Sequence, residues 1–139
     1  MDKTTCLDLF AFTDYAWGQI RETLPDDDVL MRAAPGSGWP ALRNCFGHMV
    51  LAYERWLPAI IDLKAKAMPK LQPGDFETWA QIEEHRARVR GQLRQALDAW
   101  TDANLAAIHD VDVDGEPIRY SRGELVATSS CTSEAITAT

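Results

Sequence analysis

Between residues 76 and 100 the apolar side chains recur at steps of three and four: Phe76, Trp79, Ile82, Val89, Leu93, Leu97 and Trp100. That is the period of one face of an α-helix, sustained for about seven turns. A stripe this long must be covered by other helices, so it restricts the chain to a helical assembly. Arg86 is the one polar member of the stripe, and its stem is expected to lie along apolar surface with its head in water. Two earlier segments share the period. Leu9, Phe12, Ala16, Ile20 and Leu24 define a helix over about 8–24, with Tyr15 and Trp17 broadening the stripe, and Pro25 and the run "DDD" stop it. A second helix starts near Pro40 and carries Leu42, Phe46, Met49, Tyr53, Trp56 and Leu57, with Pro58 expected to kink or divide it.

The segments between are punctuated by Pro and Gly. "RAAPGSGWP" and "PKLQPGD" read as loops, and "VDVDGEPIRY" places Asp114 and Gly115 between β-prone runs, as a hairpin or an extended loop. "YSRGEL" then opens a fourth helix, with Ser121 as cap and Glu124 at the capping-box spacing. The expected architecture is all-α, an antiparallel four-helix bundle with its last helix truncated or degraded. Tyr15, Ile20, Phe46, Met49, Tyr53, Trp79, Ile82, Val89 and Leu93 are expected to form its core.

At 139 residues the chain is read as one domain over 1–126 followed by an aberrant tail over 127–139. The net charge of −7 argues against general nucleic-acid or anionic-membrane binding, which needs clustered Lys and Arg. The four arginines of "HRARVRGQLR" read as a solvated helix face beside Glu83 and Glu84. Cys6, Cys45 and Cys131 have no metal-binding spacing and suggest a reduced, cytoplasmic setting. The start "MDKTTC" lacks a signal-peptide pattern, and no apolar run reaches the length of a membrane span.

Three histidines are the candidate chemistry. His48 lies at the border of the second helix's apolar face, where Ala41, Cys45 and Ala52 leave room for an imidazole to coordinate something or to rest against water or a carbonyl. His85, amid "EEHRAR", reads as solvated. His109 has acidic neighbours but no ligand spacing. Cys45, one turn from His48, makes a Cys/His nucleophile pair conceivable. Catalytic residues stay unassigned, because no hydrolase, zincin, phosphate-loop or dinucleotide motif occurs.

The order of segments resembles the DinB-like (YfiT-like) four-helix-bundle superfamily. "FAFTDYAWGQIRETL" is similar to its first helix, "LRNCFGHMVLAYERWL" to its second, "FETWAQIEEHRARVRGQLRQALDAWTDANL" to its third, and "DVDGEPIRYSRGEL" to the loop leading into its last core helix. The resemblance covers about residues 7–126. It implies a divalent-metal enzyme, with nickel or zinc held by a helix-two histidine and by an HxxxH pair on the last helix. The chemistry implied is thiol-dependent S-transfer or isomerisation, or a hydrolase-like reaction. Implied partners are a small-molecule substrate with a low-molecular-weight thiol, and a second copy of the chain. His48 matches the first metal ligand. The alternative is a non-catalytic helical module that acts by dimerising.

The HxxxH pair should follow "GELV", yet no histidine occurs after His109. Seven of the last 13 residues are Ser or Thr, against eight in the preceding 126. Three protein ligands with an open fourth position, the usual catalytic arrangement, cannot be assembled from this chain. A reading frame displaced by one base after about Val126 explains the anomaly. With TCN serine codons, Ser129, Ser130 and Cys131 become NTC, NTC and NTG, all apolar. The Cys131/Thr132 junction becomes YAC, His or Tyr. Free wobble bases allow "LLLHERGHHGD", which contains HxxxH after an apolar helical run. Few of those positions are forced. The alternatives are a natural tail that never bound metal and an altered sequence.

Overall fold

The computed structural model describes residues 2–64, 66–113 and 115–129, without the side chain of Val113. The expectations for 130–139, including Cys131, lie outside the described residues. Helix α1 spans Lys3–Thr23, with Asp2 accepting from the Thr5 backbone N–H as cap. Helix α2 spans Leu42–Ile61 and continues through Pro58. Helix α3 spans Trp79–Ala99, opened by a capping box of Thr78 and Gln81. A short α4, Asp102–Ala106, follows. Strands β3 (Ile108–Val113) and β4 (Glu116–Ser121) then pair antiparallel in unbroken register, with Gly115 at φ 87 in their turn. Helix α5 occupies 122–129, and Ser121 Oγ accepts from the Glu124 N–H as expected. Residues 33–41, read as loop and helix start, instead form a small hairpin of β1 (Ala33–Ala34) and β2 (Trp39–Ala41), turned by Gly36 and Gly38 at positive φ. Among the described residues no helix is long and apolar enough to cross a membrane.

The all-α expectation holds, and one detail of the bundle differs. Helix α1 runs antiparallel to α3: Lys3 donates to Asp98 and Asp102, and Trp17 and Arg21 donate to Glu83. Helices α2 and α3 lie side by side and run parallel, since Phe46 meets Trp79, Tyr53 meets Arg90, and Glu54 meets Arg88. The connection over 62–78 makes this feasible. Short loops force antiparallel neighbours, whereas a long one can return the chain to the other end. Arg122 donates to the Ile60 and Ile61 carbonyls, satisfying the C-terminal end of α2 and seating α5 there.

Of the expected core, Phe46, Met49, Tyr53, Trp79, Ile82, Val89 and Leu93 are buried. Helix α1 corrects the rest. It buries Cys6, Phe10, Thr13 and Trp17, leaving Ile20 half-buried, Tyr15 65% exposed and Phe12 59% exposed. Its true face is the neighbouring stripe, and polar partners on α3 selected it. Arg86 and Arg90 are buried there, against the expectation that their heads are solvated. Both donate to Asp14 Oδ1 at 3.0 Å, and Arg90 also donates to the Phe10 carbonyl at 2.8 Å. The Arg90 guanidinium stacks 3.7 Å from the Phe10 ring centroid. Burial pulls Arg90 below the ordinary guanidinium pKa. The two guanidiniums bond through Nη2, while Arg86 Nε and Arg90 Nε and Nη1 have no hydrogen-bond partner among the described residues, so Asp14 and the ring faces offset their desolvation.

Candidate functional site

His48 is placed by three elements. Helix α2 carries it two residues after Phe46 and two before Val50, on the side of the helix away from that core face. The β1–β2 hairpin brings Trp39 alongside, with ring centroids 5.1 Å apart. The connection supplies Met68, Pro69, Leu71 and Pro73 across a cleft of about 240 Å³, whose α2 wall includes Arg55 and Trp56. His48 is thereby held in a half-buried position under the connection. Gly47 explains how close that connection comes, because its Cα side faces the Pro73 carbonyl and the Phe76 ring. Burial, then the charge of Arg55, lowers the His48 pKa, so the imidazole is neutral near pH 7 with a lone pair to offer. No three His, Cys, Asp or Glu residues converge on one point among the described residues. Cys45 is a buried free thiol that lines a different cleft, with Ile20, Leu24, Ala34 and Leu42. Cys45 and His48, one turn apart on α2, thus line different clefts.

His85 is not solvated, contrary to the sequence reading. It is 9% exposed and lies edge-on to Phe76. Its Nε2 is 3.1 Å from Glu54 Oε2, in contact but off the line of a hydrogen bond. Arg88 Nη2 lies 3.3 Å from His85 Nδ1. A guanidinium only donates, so Nδ1 accepts and Nε2 carries the proton toward Glu54. The signal was present in the sequence: position 85 is three after Ile82 and four before Val89, on the shoulder of the stripe. His109 is half-buried on β3 opposite Tyr120, and its Nε2 and the Tyr120 hydroxyl have no hydrogen-bond partner among the described residues.

Burial also lowers the His85 pKa, outweighing the attraction of Glu54. A histidine whose folded pKa is depressed binds fewer protons than its unfolded counterpart. Stability therefore falls as pH drops below the unfolded value near 6.5 and toward the folded one. Thermal unfolding between about pH 7 and pH 5.5 should show this loss. His85→Gln should reduce it, leaving the part that His48, also depressed by burial, contributes, and an unchanged slope would mean that His85 does not contribute.

These features define a helical bundle with a neutral, half-buried histidine on its second helix and a polar loop leading into its last. The DinB superfamily model matches residues 14–128. The chain belongs to the DinB superfamily. No curated protein and no solved structure matches it.

Proposed function

We propose that this chain descends from a divalent-metal-dependent enzyme of thiol-dependent S-transfer, isomerisation or hydrolase-like chemistry, and that the ligand set is broken in the sequence as it stands. The observation that carries the reading is His48: it sits at the matching position on α2, neutral and lining a cleft. DinB-superfamily membership supports a metal-associated ancestry. The residues present do not fit a catalytic nickel or zinc site. One imidazole, with no second His, Cys, Asp or Glu pair converging on it among the described residues and no histidine after position 109, falls short of the three or four ligands such ions require. The small-molecule substrate, thiol, second copy of the chain and cytoplasmic setting belong to the same reading.

Calorimetry with nickel and zinc tests it on two chains. The unaltered chain should bind weakly or not at all. A chain translated in the other frame after residue 126, so that two histidines four apart follow the apolar turn, should gain one-to-one binding. Tight binding by the unaltered chain that survives His48→Ala would overturn the reading. The second reading is a non-catalytic dimerising module. Phe12 and Tyr15, exposed three residues apart on α1, favour it, and it predicts no metal binding by either chain.

A further inference from the structure

The parallel packing of α2 and α3 leaves a groove on the side away from α1. Its largest part, about 720 Å³, lies within the range of small-molecule sites. Leu57, Ile61, Ala96 and Trp100 form an apolar trough, with Glu54, Asp62 and Arg88 as its charged groups. Glu54 and Arg88 also line an adjoining cleft of about 400 Å³, together with Lys70 and His85. Arg88 and His85 line a third cleft, about 290 Å³, where Asp75 and Glu84 add negative charge. Arg88 is thus the cation common to all three, and Glu54 the carboxylate at the junction of the larger two.

Three observations suit this junction to a ligand bearing both charges. First, the Glu54–Arg88 pair is loose, with Arg88 Nη2 3.4 Å from Glu54 Oε1 and the Arg88 side chain 52% exposed. Its Nε and Nη1 have no acceptor among the described residues, leaving donors free for a carboxylate. Second, His85 is nine-tenths buried with its Nε2 3.1 Å from Glu54 Oε2 but off the line of a hydrogen bond, so the carboxylate meets a buried ring at the junction and keeps lone pairs open to an ammonium. Third, both signs of charge line the groove, so a simple anion meets Glu54 and Asp62, and a simple cation meets Arg88. We infer that the α2–α3 groove binds a zwitterion with an apolar body, an apolar amino acid or short peptide, its carboxylate on Arg88, its ammonium on Glu54 and its side chains along the Trp100 trough. This site does not include His48 and is independent of the metal reading.

The test uses the full chain without added metal, followed by calorimetry and tryptophan fluorescence. Leu-Leu is the zwitterionic probe, with N-acetyl-Leu-Leu carrying only the acid and Leu-Leu amide only the amine. Leu-Leu should bind saturably, and each blocked peptide about tenfold or more weaker, the effect of losing one charged hydrogen-bonded contact. Arg88→Gln should bring Leu-Leu down to the level of its amide and leave the amide unchanged. Glu54→Gln should do the same with respect to the N-acetyl peptide, and Trp100→Ala should weaken all three alike. The blocked peptides probe both charges on the unaltered chain, so a variant that fails to fold leaves the test intact. Absence of saturable binding at millimolar Leu-Leu, or a blocked peptide that binds as well, would overturn the inference.

Discussion

Gly47→Ala is expected to destabilise the protein by about 3 kcal/mol or more, the upper range for an overpacked site. A Cβ at this position would overlap the Pro73 carbonyl oxygen and lie 2.8 Å from Phe76 Cδ2. The first obstacle is backbone, which cannot rotate aside as a side chain can. Alanine is otherwise the better helix former, so an exposed glycine in α2 would gain from the change. Here the connection has to lift off α2, taking Pro73 and Phe76 with it. That connection walls the cleft of His48 and carries Lys70 and Leu71 into the groove of His85, so both sites should loosen together. Urea unfolding measures the loss. The control is Gly91→Ala, whose added Cβ meets nothing within 4 Å and should leave stability equal or higher. Equal stability of the Gly47 and Gly91 variants would show that the connection does not rest on α2 as described.

Trp79→Ala is expected to cost about 4 kcal/mol, within the range for removing a buried large aromatic side chain. Trp79 is 2% exposed at the first turn of α3. Its ring meets Trp17 from α1 at 5.9 Å and Phe46 from α2 at 4.9 Å, joining the three long helices at one point. Arg21 stacks over it at 4.2 Å, and its Nε1 donates to the Asp26 carbonyl at 3.0 Å. Removing the indole therefore leaves a cavity, takes from the Asp26 carbonyl one of its two donors (the Val29 N–H remains) and leaves a guanidinium without its ring. Trp79→Phe keeps most of the volume and should recover more than half of the loss. A cost below about 1 kcal/mol for Trp79→Ala would mean that the junction collapses around the gap, and that this cluster does not hold the helices together.

Much of this fold was determined by sequence. The stripe of α3 names its own buried face, because Trp79, Ile82, Val89, Leu93 and Leu97 leave no second apolar side. The cap at Ser121 and the turn at Gly115 are local chemistry, read from one to four residues, and both stand. The family, too, is legible in local order, and so is the lack of any histidine after His109.

Tertiary structure decided the rest. Helix α1 is apolar on adjoining faces, with Phe10 and Trp17 on one and Phe12 and Tyr15 on the other, and periodicity cannot choose between them. Asp14 chose, because only one rotation of α1 places its carboxylate on both Arg86 and Arg90. The same pairing made two arginines interior that charge patterning assigns to solvent. The position of His85 on the shoulder of the α3 stripe was readable, but its neighbour Glu54 was not, because parallel packing of α2 against α3 set it there and a chain direction fixed by a long connection leaves no local trace in sequence. His48 shows the limit from the other side. Its residue type and position were readable, but what it faces was set by the β1–β2 hairpin and by the close approach of Pro73 to Gly47, contacts between segments far apart in the chain.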